Sequence, residues 1–269
     1  MITVTKATGQ REPFNQEKVI TSIRRAGIQK ELEDNVIEHV KSKLYDNIPT
    51  SKIYHHIIEF LEKSNSYAKS RYGLKRAIME LGPSGYPFED FVAEILKTKG
   101  YTTTVRNILQ GRCVTHEIDV IAIKDTNHIM IEAKFHNLPG IHSNVHVSLY
   151  TKARFDDIKE RHNLTQAWIV TNTKATTDAV SFALCSNVKI ISWDYPEGES
   201  LRELIEQSGL TPITALSTLS FGQKQKLLEK KIVLCKSVCQ SPNVLNILGV
   251  SEEQKKVVLS EAKFVCNQA

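Results

Sequence analysis

Glu117-Ile118-Asp119-Val120-Ile121-Ala122-Ile123 and Ile129-Met130-Ile131-Glu132-Ala133-Lys134-Phe135 decide the fold of this chain. Both runs alternate in the period-2 manner of a strand. Lys124 to Asn127 between them reads as a turn, so the two strands form a hairpin. Side chains at i and i+2 of a strand share a face. Glu132 and Lys134 therefore project together, while Ile131, Ala133 and Phe135 face the core. Asp119 interrupts an apolar run, where an acid is costly unless it is paired or holds a cation. The hairpin brings it beside Glu132. Two carboxylates and a lysine on one sheet face suit phosphodiester hydrolysis. The acids can hold a hard cation such as Mg²⁺, and the lysine can position a water or offset charge growing on phosphate.

Glu-x-Lys by itself is a weak signal. It recurs at 229/231, 253/255 and 261/263, in polar helical surroundings where i and i+2 do not face each other. Taken singly, Asp119 suits a solvated edge-strand position, and Glu132 with Lys134 a surface ion pair. The three in this order reverse that balance. Glu89, on a helix opening Pro87-Phe88-Glu89, is a further acid for the same cleft.

Outward from the hairpin, residues 86–197 read as one domain of order α-β-β-β-α-β-α-β. The helices lie over Phe88–Lys99, Leu149–Arg161 and Asp178–Cys185. The further strands lie over Thr102–Leu109, Ala167–Thr171 and Val188–Trp193. That order predicts an α/β fold, a mixed sheet flanked by helices. Gly82-Pro83-Ser84-Gly85 separates it from residues 1–85, an α-rich segment. That segment starts with a strand-like stretch, Ile2 to Lys6, and a helix capped by Asn15 and followed by Gly27. A later helix runs from about Ser66 to Leu81. Residues 198–269 read as short helices.

Within Tyr86–Trp193, the residues Phe88-Glu89, Gly100-Tyr101, Glu117-Ile118-Asp119 and Glu132-Ala133-Lys134 resemble the Mrr-type restriction endonuclease domain of the PD-(D/E)xK superfamily. The resemblance implies a Mg²⁺-dependent deoxyribonuclease. Asp119 and Glu132 would bind metal, Lys134 would assist the attacking water, and Glu89 would be an accessory acid. Many such domains continue with a basic, glutamine-containing stretch after the lysine. Here the chain reads Phe135-His136-Asn137-Leu138-Pro139-Gly140-Ile141-His142, with His136 and His142 as phosphate contacts or as plain loop histidines. Lys152, Arg154, Lys159 and Arg161 would face a DNA backbone or form a solvated charged face. Cutting both strands would need a homodimer or higher oligomer. A restriction or defence role is what the resemblance suggests.

The first segment resembles an ATP-cone domain at Val4-Thr5-Lys6, Gly9, Phe14, Lys18-Val19-Ile20, Ser22-Ile23, Ala26, Ile48-Pro49-Thr50, Ile53, Leu61 and Tyr72. That implies ATP or dATP as a regulatory ligand, with Lys6 and Lys18 near its phosphates and Thr50 near its base. The family's Lys-Arg-Asp-Gly turn reads Lys6-Ala7-Thr8-Gly9 here. The last segment loosely resembles helix-hairpin-helix DNA-binding modules at Leu245–Ser251 and the lysine-containing helix after it.

Composition is globular, with 41% apolar and 24% charged residues over 269. The net charge of +5 and a pI near 8.8 are compatible with a polyanionic partner. Five cysteines without a CxxC pair read as buried thiols, with no zinc-site spacing among them and only a loose histidine group at 136, 142 and 146. No membrane span is expected, and a cytoplasmic enzyme is the simple reading. Two alternatives stand beside the restriction nuclease. One is a non-catalytic, nucleotide-sensing DNA-binding regulator; the other is a repair or junction-resolving nuclease.

Overall fold

A computed structural model describes residues 2–25, 28, 30–64 and 72–266. Near the N-terminus, β1 (Thr3–Thr5) lies between β2 (Arg11–Pro13), antiparallel to it, and β3 (Ile48–Pro49), parallel to it. Three helices cover this sheet: α1 (Gln16–Arg25), α2 (Lys30–Ser42) and α3 (Thr50–Ser64). The Asn15 side chain accepts from Lys18 N at 3.3 Å, capping α1. The expected Gly27 stop and the match at Ala26 lie outside the described residues. So does the first part of the expected Ser66–Leu81 helix; its described part is α4 (Leu74–Met79). β2 was invisible to periodicity because Arg11-Glu12-Pro13 carries no apolar alternation. It forms because the turn at Gly9, with φ +82°, folds the chain back on β1. Pro13 is tolerated there because β2 is an edge strand. Val4, Val19, Ile23, Val36, Val40, Ile48, Ile57 and Leu61 close the core.

The central sheet has the order β10-β8-β6-β5-β4. Its antiparallel part comprises β4 (Thr102–Gln110), β5 (Thr115–Lys124) and β6 (Asn127–Lys134). It continues in parallel through β8 (Gln166–Thr171) and β10 (Val188–Ile191), as an α/β mixed sheet flanked by helices. A short parallel pair, β7 (His142–Ser143) and β9 (Lys174–Ala175), lies beside it. α5 (Tyr86–Thr98) covers one face, where Phe88, Phe91 and Ile95 meet Val120, Ala122, Ile131 and Ala133. α6 (Val145–Ile158) and α7 (Thr177–Cys185) cover the other, against Ala167, Ile169, Val188 and Ile190. The helix expected at Leu149–Arg161 starts earlier because the Asn144 side chain accepts from His146 N at 3.1 Å and caps it. It also ends earlier, and Asn163 then turns through φ +50°.

The C-terminal part is helical: α8 (Leu201–Ser208), α9 (Phe221–Glu229), α10 (Cys235–Gln240) and α11 (Glu252–Cys266), with 3₁₀ turns at Ile213–Ala215 and Pro242–Leu248. Ser200 and Glu203 form a capping box on α8, and Gly209 closes it at φ +64°. Leu201, Ile205, Ile213, Leu227, Val238 and Val258 share one continuous core with Phe88 and Val120. Among the described residues, no helix is long and apolar enough to cross a membrane.

Candidate active site

The β5–β6 ladder stops at Val120↔Ile131. On the far side of β6, pairing with β8 continues through Glu132↔Ile169, Ala133↔Val170 and Lys134↔Thr171. β5 and β6 therefore part where the acids lie. The Asp119 side chain closes the next rung instead, Oδ2 accepting from Ala133 N at 2.7 Å. β5 also twists sharply there. Ile118 is buried with Met130 and Ile158, whereas Val120, two residues on, is buried with Ile131. Opposite this point on β4, Arg106 adopts φ +54°, and the ladder skips from Val105↔Val120 to Asn107↔Ile118.

Glu132 is buried, 8% exposed. Tyr150 OH donates to its Oε1, and Arg154 Nη1 donates to its Oε2 at 2.6 Å. Tyr150 and Arg154 stand one turn apart on α6 and so share a face. The Arg154 guanidinium lies 5.9 Å from the Tyr150 ring centre. Burial, then the Glu132 charge, pushes the Tyr150 phenol far up, so it stays a donor. Glu89 is 7% exposed and pairs with Arg106 Nη1 at 3.1 Å. Arg106 Nη2 holds Asp90 at 2.6 Å, and its guanidinium lies 5.4 Å from the Tyr86 ring centre. Burial raises the Glu89 carboxyl, and Arg106 opposes that rise.

Asp119 is strongly perturbed as well. Burial, then the Glu132 and Glu89 charges, pushes its carboxyl up to about 7, against the Ala133 hydrogen bond and Arg154. Lys134 is half-buried, and its ammonium makes no hydrogen bond or ion pair among the described residues. Burial of the His136 ring, and then the Lys134 charge, lowers the proton affinity of His136.

Glu132 and Glu89 thus both act on Asp119, but the oxygens of the three do not converge within 4.8 Å as a set. The donor set still suits a hard divalent cation. Asp119 Oδ1 has no partner among the described residues. Each Glu132 oxygen retains a lone pair beyond its one hydrogen bond. The Glu132 charge that raises the Asp119 carboxyl is the kind of repulsion a cation between them relieves.

Tyr150, Arg154 and Arg106 were not singled out for the site from the sequence. The i, i+4 spacing of Tyr150 and Arg154 was readable, but no local pattern marks Arg106. The basic residues of the 149–161 stretch do not form a bare face. Lys152 and Lys159 pair with Asp156, Arg154 with Glu132, and Arg161 donates to Gly111 O. His136 bonds Ser143 Oγ through Nε2 at 3.1 Å, whereas His142 is exposed on β7.

In the first segment, Lys6 and Lys18 come together. Each ammonium lies 2.8 Å from a different oxygen of Glu12, on β2. Lys18 first, and then Lys6, holds the Glu12 carboxyl below the usual range. Thr50 starts α3.

Comparison with known proteins matches three stretches of the chain. Residues 2–76 match the ATP cone domain, 82–205 the restriction endonuclease family, and 212–266 the family described as AF1548-like, C-terminal. An uncharacterized protein of Archaeoglobus fulgidus is 39% identical over 175 residues, which cover 65% of this chain and 99% of that one. A solved structure, titled a protein of unknown function AF1548, is 37% identical with a TM-score of 0.61. It covers 69% of this chain and 100% of its own. The resemblances carried by Asp119–Lys134 and by Val4–Tyr72 are both matched at family level, and the chain belongs to the AF1548-like family, with an ATP-cone domain ahead of its restriction-endonuclease domain.

Proposed function

We propose that the chain is a metal-dependent DNA endonuclease whose centre is Asp119, Glu132 and Lys134, with Glu89 as accessory acid. The observation that carries this reading is the parting of β5 and β6 at Asp119, with a carboxyl raised to about 7 beside Glu132 and an unpaired Lys134 on the same strand. A Mg²⁺ ion held by Asp119 and Glu132 would supply charge neutralisation at the scissile phosphate. Ala133 N fixes the Asp119 carboxylate, and Tyr150 with Arg154 fixes Glu132, so neither acid needs to reorganise. The Lys134 ammonium orients the attacking water and offsets negative charge growing on the phosphate oxygens. Arg106 holds Glu89 at the edge of the cleft.

The ATP-cone domain points to nucleotide sensing. In this reading Lys6 and Lys18 receive the phosphates of ATP or dATP, and Glu12 occupies that place in their absence. Thr50 would contact the base. Two copies would act together to cut both strands.

Plasmid cleavage in Mg²⁺, with and without ATP or dATP, tests the proposal. Lys134→Ala and Asp119→Ala are expected to lower cleavage at least ~10²-fold while the protein stays folded. Cleavage retained in both variants would sink the reading. A specific observation favours one alternative: the Arg154 guanidinium already balances Glu132. If wild type binds DNA in a salt-dependent way yet leaves unmodified and methylated plasmid intact, the chain is a DNA-binding regulator.

A further inference from the structure

A second group of side chains, remote in sequence from the nuclease residues, has donor atoms without partners. His39 lies on α2; His56 and Glu59 lie on α3, three residues apart and so on one face. Among the described residues these are the one group of three His, Cys, Asp or Glu whose donor atoms all lie within 4.8 Å of one another. Glu59 Oε2 is 3.9 Å from His39 Nε2 and 3.7 Å from His56 Nδ1. Both separations exceed a hydrogen bond. Both ring nitrogens are shut away from solvent and have no hydrogen-bond partner. A buried imidazole nitrogen in that state has lost its hydration and gained nothing in return.

We propose that His39, His56 and Glu59 bind a divalent transition-metal ion, Zn²⁺ being the best match, and so fasten α2 to α3. Two imidazoles and one carboxylate form a borderline donor set, suited to Zn²⁺, Co²⁺ or Ni²⁺ rather than to Mg²⁺. Around a tetrahedral Zn²⁺ with ligands at about 2.0–2.1 Å, neighbouring donor atoms stand about 3.3–3.5 Å apart. The two separations from Glu59 need to close by only about half an ångström or less, within reach of small side-chain rotations. The ion would occupy the two unpartnered nitrogens at once. Lys63 holds the other Glu59 oxygen, Oε1, at 3.2 Å, which keeps the carboxylate ionised and leaves Oε2 to the ion. The Phe60 ring, 5.6 Å from that of His39, walls the site on one side. The Glu59 side chain is 36% exposed, which gives the ion an entry path and leaves a fourth position for water. No short motif marks the cluster, because His39 comes from a different helix.

Co²⁺ titration of chelator-treated, full-length protein reads the site optically. The expected result is a visible d–d absorption that saturates at one equivalent, is displaced by Zn²⁺ and is not produced by Mg²⁺. Zn²⁺ should also raise Tm by several degrees. Both signals should vanish in His39→Gln/His56→Gln and weaken at least tenfold in Glu59→Gln. Cys239→Ser should leave them unchanged. Absence of the band and of the Tm shift in wild type overturns the proposal, as does their survival in the double histidine variant. Should that variant fail to fold, ¹⁵N-labelled histidine rings in wild type decide. Two imidazole resonances moving to metal-bound positions support the site, and none moving overturns it.

Discussion

Asp119 shows how one side chain can be costly and useful together. Its folded-state carboxyl, at about 7, lies well above the ordinary 3.8. In the metal-free protein the folded state therefore binds a proton that the unfolded chain has already released between pH 4 and 7. Stability falls as pH rises through that window and levels off above it. Asp119→Asn keeps an acceptor for Ala133 N and removes the charge. It should stabilise the metal-free protein by about 1–2 kcal/mol at pH 8, discounted for the water that reaches the half-buried group, and by little at pH 5. Thermal melts at the two pH values check this; equal effects at both would refute the raised carboxyl. At the N-terminal site, Glu12→Gln frees Lys6 and Lys18. It should tighten ATP or dATP binding about fivefold, the worth of an exposed ion pair, as read by calorimetry. Unchanged or weaker binding would count against those lysines as phosphate contacts.

At the scale of elements, the α5–β4 clamp depends on a backbone conformation that a side chain rarely adopts. Arg106 at φ +54° places its guanidinium between Glu89 and Asp90. Arg106→Ala leaves both acids poorly compensated and keeps the strain, and should cost about 2–4 kcal/mol in urea unfolding. Arg106→Gly loses the same ion pairs but relieves the strain, so it should be about 1 kcal/mol more stable than the alanine variant. An alanine variant as stable as the glycine one would show that the conformation carries no strain. The hairpin was legible because alternation and a polar turn are local signals. The opening between β5 and β6 was not, because it depends on a side chain taking over a backbone rung.

Across the molecule, α11 is tied in by one buried acid. Glu261 is fully buried and accepts from the backbone nitrogens and hydroxyls of Ser217 and Thr218 at 2.6 to 2.9 Å. Glu261→Ala orphans those donors and should cost about 3–5 kcal/mol. Because Val258 and Ala262 belong to the core that holds Phe88 and Val120, the loss should lower the unfolding midpoint of the nuclease sheet as well. Hydrogen exchange of β5 and β6 amides measures that. Protection unchanged by the substitution would mean that the C-terminal helices are energetically separate.

The sequence by itself determined the α/β order of residues 86–197, the pairing of two acids and a lysine on adjacent strands, and the two family resemblances. Those features are written in short windows: period-2 alternation, turn residues and motif spacing. Only the tertiary structure decided what surrounds them. Tyr150 and Arg154 reach Glu132 from α6, Arg106 reaches Glu89 from β4, Glu12 gathers Lys6 and Lys18, and His39 meets His56 and Glu59 across two helices. Apart from Glu12, which is six residues from either lysine, each of these is a long-range meeting fixed by packing. Packing depends on the whole core at once, and no local window of residues carries it.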